Sequence, residues 1–579
     1  MPSATLEILD DRWVLRCSPL ARDLAAQIPA LRFDRELEAW AGPLVLSTPL
    51  VARSLFGPGL QPTNDAFEVV DQWNREAESA RRDLSGSNDP EAVRTLYRLS
   101  PALFPEQVGS SALMSQWGWF LNCDDRGSGK SVQTVCALNA GGHWPALIIA
   151  PKSMLYTWAD EVRKHTNAEP FVLVGTAPQR KKIIEEARTH PRPVIISTLG
   201  TLKAHSRHAG YGSVRRKDEH REPKELNGGW IKTVVVDEAQ ALKDPKAQQT
   251  RAAWAVGDEA EHRIALTGTP IVNTPLDLWG ILRFLSPQDF PSRSKFQDRY
   301  VLTREGFWGG TEDLGLNPVH QPELDRILTG HYCRRPLRLP VEVLPPQVRW
   351  LDMESKQAKA YRDMEKDMMA GVDGNLLLTT NPMTLAMRLG QIASATPVVD
   401  EAGNVTSLDS PSCKISALLE LLDEMAGDPL VVFAESRKLI ELAHRTLTGG
   451  AKPLLRPDQV GLITGQVSSV ERAAHIDAFQ RGEQVVILCT LGAGAEGITL
   501  TRSNTICFLQ RSFSYVKNIQ AEGRVARIGQ ERDVRYIEFI TRGTVESRVY
   551  QAIAAKEDKA QDFLRDPEFV RRVLFEEAG

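Results

Sequence analysis

The chain has 579 residues, a formal net charge of -4, 42% hydrophobic and 25% charged residues. At roughly 150 residues per domain this length predicts three or four domains, and the balanced composition excludes a disordered or collagen-like chain. Seven scattered cysteines, none in a CxxC pair, exclude a zinc ribbon and argue against a disulfide framework, so a reducing compartment is expected. No apolar run approaches the ~18 residues of a membrane span, and residues 1–11 lack the pattern of a signal peptide. The small net charge means that any basic, phosphate-binding surface is local.

In chain order, residues 1–95 mix short strand-like and helical pieces around Trp13, Trp40 and Trp73, and the polar stretch 76–90 predicts a boundary loop. A first block of apolar runs follows: 146–150, 194–197, 234–237 and 264–267. A second block lies at 430–433, 460–463, 485–488 and 505–508. Continuous β-branched runs of this length predict buried parallel strands, and the segments 156–165, 180–188 and 468–480 between them predict helices. The expected fold class is α/β: two parallel-sheet lobes with helical insertions and a small N-terminal α+β accessory domain. The expected boundaries are 1–95 (accessory domain), 96–285 (first lobe), 286–405 (helical insertions and linker, with few strand signals), 406–560 (second lobe) and 561–579 (helical tail). The segment 205–229 reads either as a solvated loop or as a loop whose Arg215, Arg216 and Lys217 touch phosphates.

Four motifs carry chemistry. The first is the loop Asp125-Arg126-Gly127-Ser128-Gly129-Lys130-Ser131, between an apolar segment (119–121) and a helix-like run (132–138). Gly127 and Gly129 let backbone N–H groups approach phosphates, with Ser128 between them. Lys130 reaches the β- and γ-phosphates, and Ser131 ligates Mg²⁺. Asp124 stands where the GxxxxGK[ST] pattern has its first glycine. The second motif is the strand Val234-Val235-Val236 ending in Asp237-Glu238-Ala239-Gln240. Asp237 would hold the metal and Glu238 would deprotonate the attacking water. The third is Leu266-Thr267-Gly268-Thr269-Pro270, whose hydroxyls could link the nucleotide to a nucleic-acid groove. The fourth is Gln520–Gln530, in which Arg524 and Arg527 lie three apart, on one helical face, as candidate arginine fingers. Upstream of the loop, Gln107 offers the donor and acceptor that suit an adenine edge.

Together these segments resemble the SNF2 family of superfamily 2 helicase-like ATPases. Residues 124–131 look like motif I (usually DExGxGKT), 149–153 with Trp158 and Glu161 like Ia, and 196–198 like Ib. Residues 237–244 look like II, and 266–270 with Asn273, Leu278 and Trp279 like III. Residues 413–415 and 431–433 look like the entry to lobe two and motif IV, 494–500 like V, 520–530 like VI, and 543–546 like the segment that follows. The resemblance implies two RecA-like lobes with ATP and Mg²⁺ between them, and it adds Gly497 and Gln520 to the nucleotide-binding set. It also implies double-stranded DNA as partner, contacted through Lys152, Ser153, Thr198, Ser436, Arg437 and Thr490. The departures are Arg126, Ser128 and Ser131 at less usual positions of motif I, Gln240 for histidine, Thr499 for asparagine, and Ser512-Phe513-Ser514-Tyr515 for Trp-Asn-Pro. Residues 13–17 and 33–44 are weakly similar to the region before the motor in HARP-type annealing helicases. The compact layout suits a monomer in the cytoplasm of a bacterial or phage-infected cell, with an N-terminal domain that could bind a protein partner. The reading at this stage is a translocating DNA-dependent ATPase. The alternatives are a strand-separating helicase, a strand annealer or fork remodeller, and a binding module with a dead nucleotide site.

Overall fold

The computed structural model describes residues 3–550 apart from 86–87, 212–221, 272–273, 306–310, 337–338, 368, 373–374, 379–381, 401–403, 451–452, 495–497, 513–514, 528 and 548–549. Arg215, Arg216, Lys217, Asn273, Gly497 and the expected tail 561–579 therefore lie outside the described residues. The described chain divides into two compact units, one containing residues 129–336 together with everything up to Asp125, the other containing residues 126–128 and the described residues from 339 to 550.

The first unit opens with a five-stranded sheet of β1 (Ala4–Leu9), β2 (Arg12–Cys17), β3 (Arg32–Asp34), β4 (Ala39–Pro43) and β5 (Leu60–Pro62), in the order β3-β4-β2-β1-β5. Trp13 is fully buried under it, its indole N–H donating to the Val45 carbonyl at 3.0 Å and its ring edge-on to Trp73. The polar stretch expected to be a boundary loop is mostly helix. Asn64–Ser85 runs through it, and a second helix, Pro90–Leu96, starts on an Asp89 cap with proline in its first turn. The polar residues are the solvated face of an amphipathic helix, not a turn.

The main sheet of this unit contains β6 (Trp119–Asn122), β7 (Ala146–Ile149), β8 (Glu169–Val172), β9 (Pro193–Ser197), β10 (Thr233–Asp237) and β11 (His262–Leu266). A hairpin of β12 (Val301–Glu305) and β13 (Thr311–Leu316) stands apart, and β14 (Tyr332–Cys333) returns to close the sheet order β14-β6-β11-β10-β7-β9-β8, all parallel. Alternate residues feed two cores. Leu147, Ile149, Val234 and Val236 face one side with Trp254 and Trp279, while Ile148 and Val235 face the other with Phe120 and Trp158. Burying each such side chain contributes roughly 1.5–3 kcal/mol, so β10 is among the most firmly held strands and its polar end is rigidly placed.

The second unit carries β15 (Gln347–Leu351), the pairs β16 (Met369–Val372) with β17 (Asn375–Leu378) and β18 (Thr396–Val399) with β19 (Val405–Asp409), then β20 (Leu430–Ala434), β21 (Val460–Ile463), β22 (Val486–Thr490), β23 (Thr505–Phe508) and β24 (Arg535–Thr541). Its sheet has the parallel order β15-β24-β23-β20-β22-β21. The fold class is as the sequence implies, but residues 286–405 are richer in strands than expected. Those strands are short, paired locally or added at a sheet edge, and so lack the long β-branched runs of central strands. Among the described residues no helix is long and apolar enough to cross a membrane.

Candidate active site

Strand β6 delivers the chain to the glycine-rich loop, and the helix Lys130–Gly141 leaves it. Gly129 caps that helix at φ +76°, and a Cβ there would stand 2.6 Å from the Gln107 amide nitrogen, so glycine is required twice over. No acidic residue occupies the first helical turn, which leaves the N-terminal N–H groups to an anion. Lys130 lies along the loop, its ammonium donating to the carbonyls of Asp124 and Asp125 at 2.6 and 3.0 Å. Gln107 is buried in the helix Pro105–Gln116, and its amide oxygen accepts from the Phe104 N–H at 2.9 Å. The adenine-reading candidate thus packs directly on the phosphate loop.

Asp124, in place of the first glycine, is almost fully buried and paired with Arg335, a residue that sequence reasoning missed. No local period announces a partner that far along the chain.

The acids stand at the end of β10. Asp237 accepts from the Trp158 indole N–H at 2.9 Å and from the Glu238 N–H at 3.0 Å. Burial first, then the Glu238 charge, pushes the Asp237 carboxyl up to about 6, against the lowering effects of Trp158 and Lys130. Glu238 sits at φ +51°, a left-handed conformation that costs a non-glycine residue roughly 1 kcal/mol or more and swings it out of line with the strand. Its carboxylate accepts from Gln240 Nε2 at 2.5 Å, Gln240 Oε1 accepts from the Thr267 hydroxyl at 2.6 Å, and Thr267 Oγ1 accepts from the Thr269 N–H at 3.0 Å. An unbroken side-chain relay therefore joins the second acid to the end of β11, with glutamine in the usual histidine's place. Ser131 and Asp237 carry the hard oxygen donors that Mg²⁺ takes, and a cation would offset both the burial and the Glu238 charge that raise Asp237.

In the second unit, the helix Tyr515–Glu522 ends before Arg524 and Arg527, so the two arginines expected on one helical face lie in the turn that follows it. Arg524 is nearly buried and donates to the carbonyls of Gln520 (2.8 Å) and Ile498 (3.2 Å). Arg527 donates to the same Ile498 carbonyl at 3.1 Å and to the Thr499 hydroxyl at 2.7 Å, so the unusual Thr499 is a working contact of the arginine pair. Buried Gln530 donates to the carbonyls of Thr501, Ser503 and Val525, which explains a glutamine at the end of this motif.

The expected DNA contacts are scattered over loop and strand ends. Lys152 is exposed and Ser153 half-buried in the turn Lys152–Met154. Thr198 caps the helix Leu199–His205 by accepting from the Thr201 N–H at 3.0 Å. Ser436 caps Arg437–Thr448, its N–H donating to Gln510, and Arg437 pairs with Glu441 at 3.4 Å. Thr490 ends β22 and is largely buried.

The SNF2-related domain matches residues 73–398, and the helicase conserved C-terminal domain matches 413–529. A putative ATP-dependent helicase/translocase, YwqA of Bacillus subtilis, is 25% identical over 497 residues, 83% of this chain and 49% of that protein. The human DNA annealing helicase and endonuclease ZRANB3 is 25% identical over 475 residues, 79% of this chain and 40% of that protein. The SWI2/SNF2 ATPase core of Sulfolobus solfataricus in complex with dsDNA aligns at 22% identity and TM-score 0.34, covering 82% of this chain and 97% of that one. The chain thus spans about half or less of the length of these curated relatives. With the first match alone covering more than half of its residues, the chain belongs to the SNF2 family of superfamily 2 helicase-like ATPases.

Proposed function

We propose that this chain is a DNA-stimulated ATPase that translocates on double-stranded DNA and couples ATP hydrolysis to remodelling of DNA or of protein–DNA complexes. The observation that carries the reading is the pair Asp237–Glu238 at a buried strand end, with Glu238 tied through Gln240 to Thr267. A bound Mg²⁺ would neutralise phosphate charge, held by Ser131 and Asp237. Glycines 127 and 129, with the N-terminus of the helix Lys130–Gly141, hold the phosphates, and Lys130 turns from the loop carbonyls to the β- and γ-phosphates. Glu238 accepts the proton of the attacking water. Arg524 and Arg527 neutralise the charge that develops on the γ-phosphate. Gln240 and Thr267 report the state of Glu238 to the end of β11, the route by which hydrolysis would reach bound DNA.

Lys152, Ser153, Thr198, Ser436, Arg437 and Thr490 are the proposed DNA contacts, directed to phosphates, so binding should be salt-sensitive and largely independent of sequence. Residues 1–95 are kept as an accessory domain open to a protein partner, on a monomeric cytoplasmic chain. A strand-annealing or fork-remodelling activity is the second reading, favoured by the similarity to the DNA annealing helicase and endonuclease ZRANB3. The test is Glu238→Gln, which should bind a fluorescent ATP analogue as wild type does while turnover falls about 10²–10⁴-fold. Equal turnover would remove Glu238 from the role of base.

A further inference from the structure

Arg335 stands beside Pro336, after which the chain passes from the first unit into the second. Just before it, β14 lies parallel to β6, and the ladder continues past the strand into the phosphate loop. The Cys123 N–H donates to the Cys333 carbonyl at 2.7 Å, and the Asp125 N–H to the Arg335 carbonyl at 3.1 Å. The Arg335 side chain then closes on the same loop. Its backbone N–H and Nε donate to Asp124 Oδ1 at 2.9 and 3.0 Å, and Nη2 reaches Asp124 Oδ2. Nη2 also meets Ser110 Oγ at 2.8 Å and Gln133 Oε1 at 3.3 Å, and Nη1 donates to the Glu106 carbonyl. Asp124, Ser110 and Gln133 are themselves buried, and Gln133 Oε1 accepts from Ser110 and from Asn122 Nδ2 as well. Against the cost of burial, the Asp124 carboxylate holds the guanidinium protonated. One fork therefore gathers the helix carrying Gln107, the strand entering the loop and the helix leaving it.

We infer that Arg335 is a positioning residue for nucleotide binding: through Asp124 it fixes the entry limb of the phosphate loop, and it does so from the chain segment that leads out of this unit. The inference rests on the ATP-binding reading above. A planar guanidinium can meet a carboxylate, a hydroxyl and an amide at once; an ammonium cannot. Without it the Asp124 charge is left buried and unpaired, and the loop loses the shape that presents its N–H groups.

The test uses the full chain and a fluorescent ATP analogue with Mg²⁺, alongside thermal melting. Wild type should bind the analogue; absence of binding would sink the functional reading and this inference with it. Arg335→Gln should weaken binding tenfold or more and lower the melting temperature. Arg335→Lys should recover part of the affinity. The double variant Asp124→Asn/Arg335→Gln removes the unpaired charge, so its melting temperature should return toward wild type while its affinity stays at least fivefold weak; it also carries the test if Arg335→Gln does not fold. Affinity within twofold of wild type in the folded single or double variant, whatever the melting temperature, would show a structural pair only and overturn the assignment. Full recovery by lysine would contradict the claim that the fork geometry matters.

Discussion

The acids of the first unit follow a central strand and the arginines of the second follow a helix, and they are held differently. Asp237 and Glu238 are fixed by side chains: the Trp158 indole, the Gln240 amide and, through it, the Thr267 hydroxyl. Arg524 and Arg527 both donate to the backbone, sharing the Ile498 carbonyl, and Arg527 donates to the Thr499 hydroxyl as well. The first arrangement can be retuned one residue at a time and senses charge. The second depends on the path of the chain at 498–499, and so on how the second unit holds its own core.

The comparison can be broken at several strengths. The largest effect is expected from Arg527→Ala, which removes a candidate finger: steady-state kcat should fall about 10³-fold or more with nucleotide binding retained. A drop below tenfold would place the catalytic charge elsewhere. Next is Lys414, which is fully buried and donates to the carbonyls of Leu509 and Phe539 and to Glu546 at 2.6 Å. Lys414→Ala leaves Glu546 largely buried without its cation and should cost about 3–5 kcal/mol in urea unfolding of the second unit. A cost under about 1 kcal/mol would show that the backbone there is held by other means.

The first unit should also respond to pH through one deeply buried histidine. His331 stacks on Trp119 with centroids 4.0 Å apart and meets Trp117 edge-on, and burial drives its pKa down to about 3. The unfolded chain therefore binds a proton that the folded one refuses. Stability is full above the ordinary histidine value near 6.5 and declines as pH falls below it toward 3, by at most about 1.4 kcal/mol per pH unit. Melting at pH 7 and pH 5 should differ accordingly, and His331→Phe should reduce the difference; an unchanged slope would refute it. The smallest effect is expected from Thr267→Val, which cuts the relay but leaves both acids in place. DNA stimulation of turnover should drop about tenfold while DNA-independent turnover changes little. Equal loss in both would mean that the relay only orients Glu238.

These contrasts also show what a sequence makes legible. The strand Val234-Val235-Val236 ending in two acids declares its burial and its chemistry within seven residues, and the glycine-rich loop does the same. The pair Asp124–Arg335, 211 residues apart, leaves no periodic trace, because side-chain complementarity at that separation exists only after β14 has joined β6. Lys414 and Glu546 each fall in a segment the sequence marks, yet their pairing does not show. The hairpins between 301 and 409 escaped because locally paired strands need neither long apolar runs nor strict alternation.

The most direct test of the central claim is the steady-state ATPase rate of the full chain with no nucleic acid, single-stranded DNA, duplex DNA, forked DNA and RNA, at low and physiological salt. The account predicts a low basal rate, strong stimulation by duplex DNA that weakens as salt rises, and little response to RNA. Stimulation by RNA alone, or a rate indifferent to every nucleic acid, would contradict it.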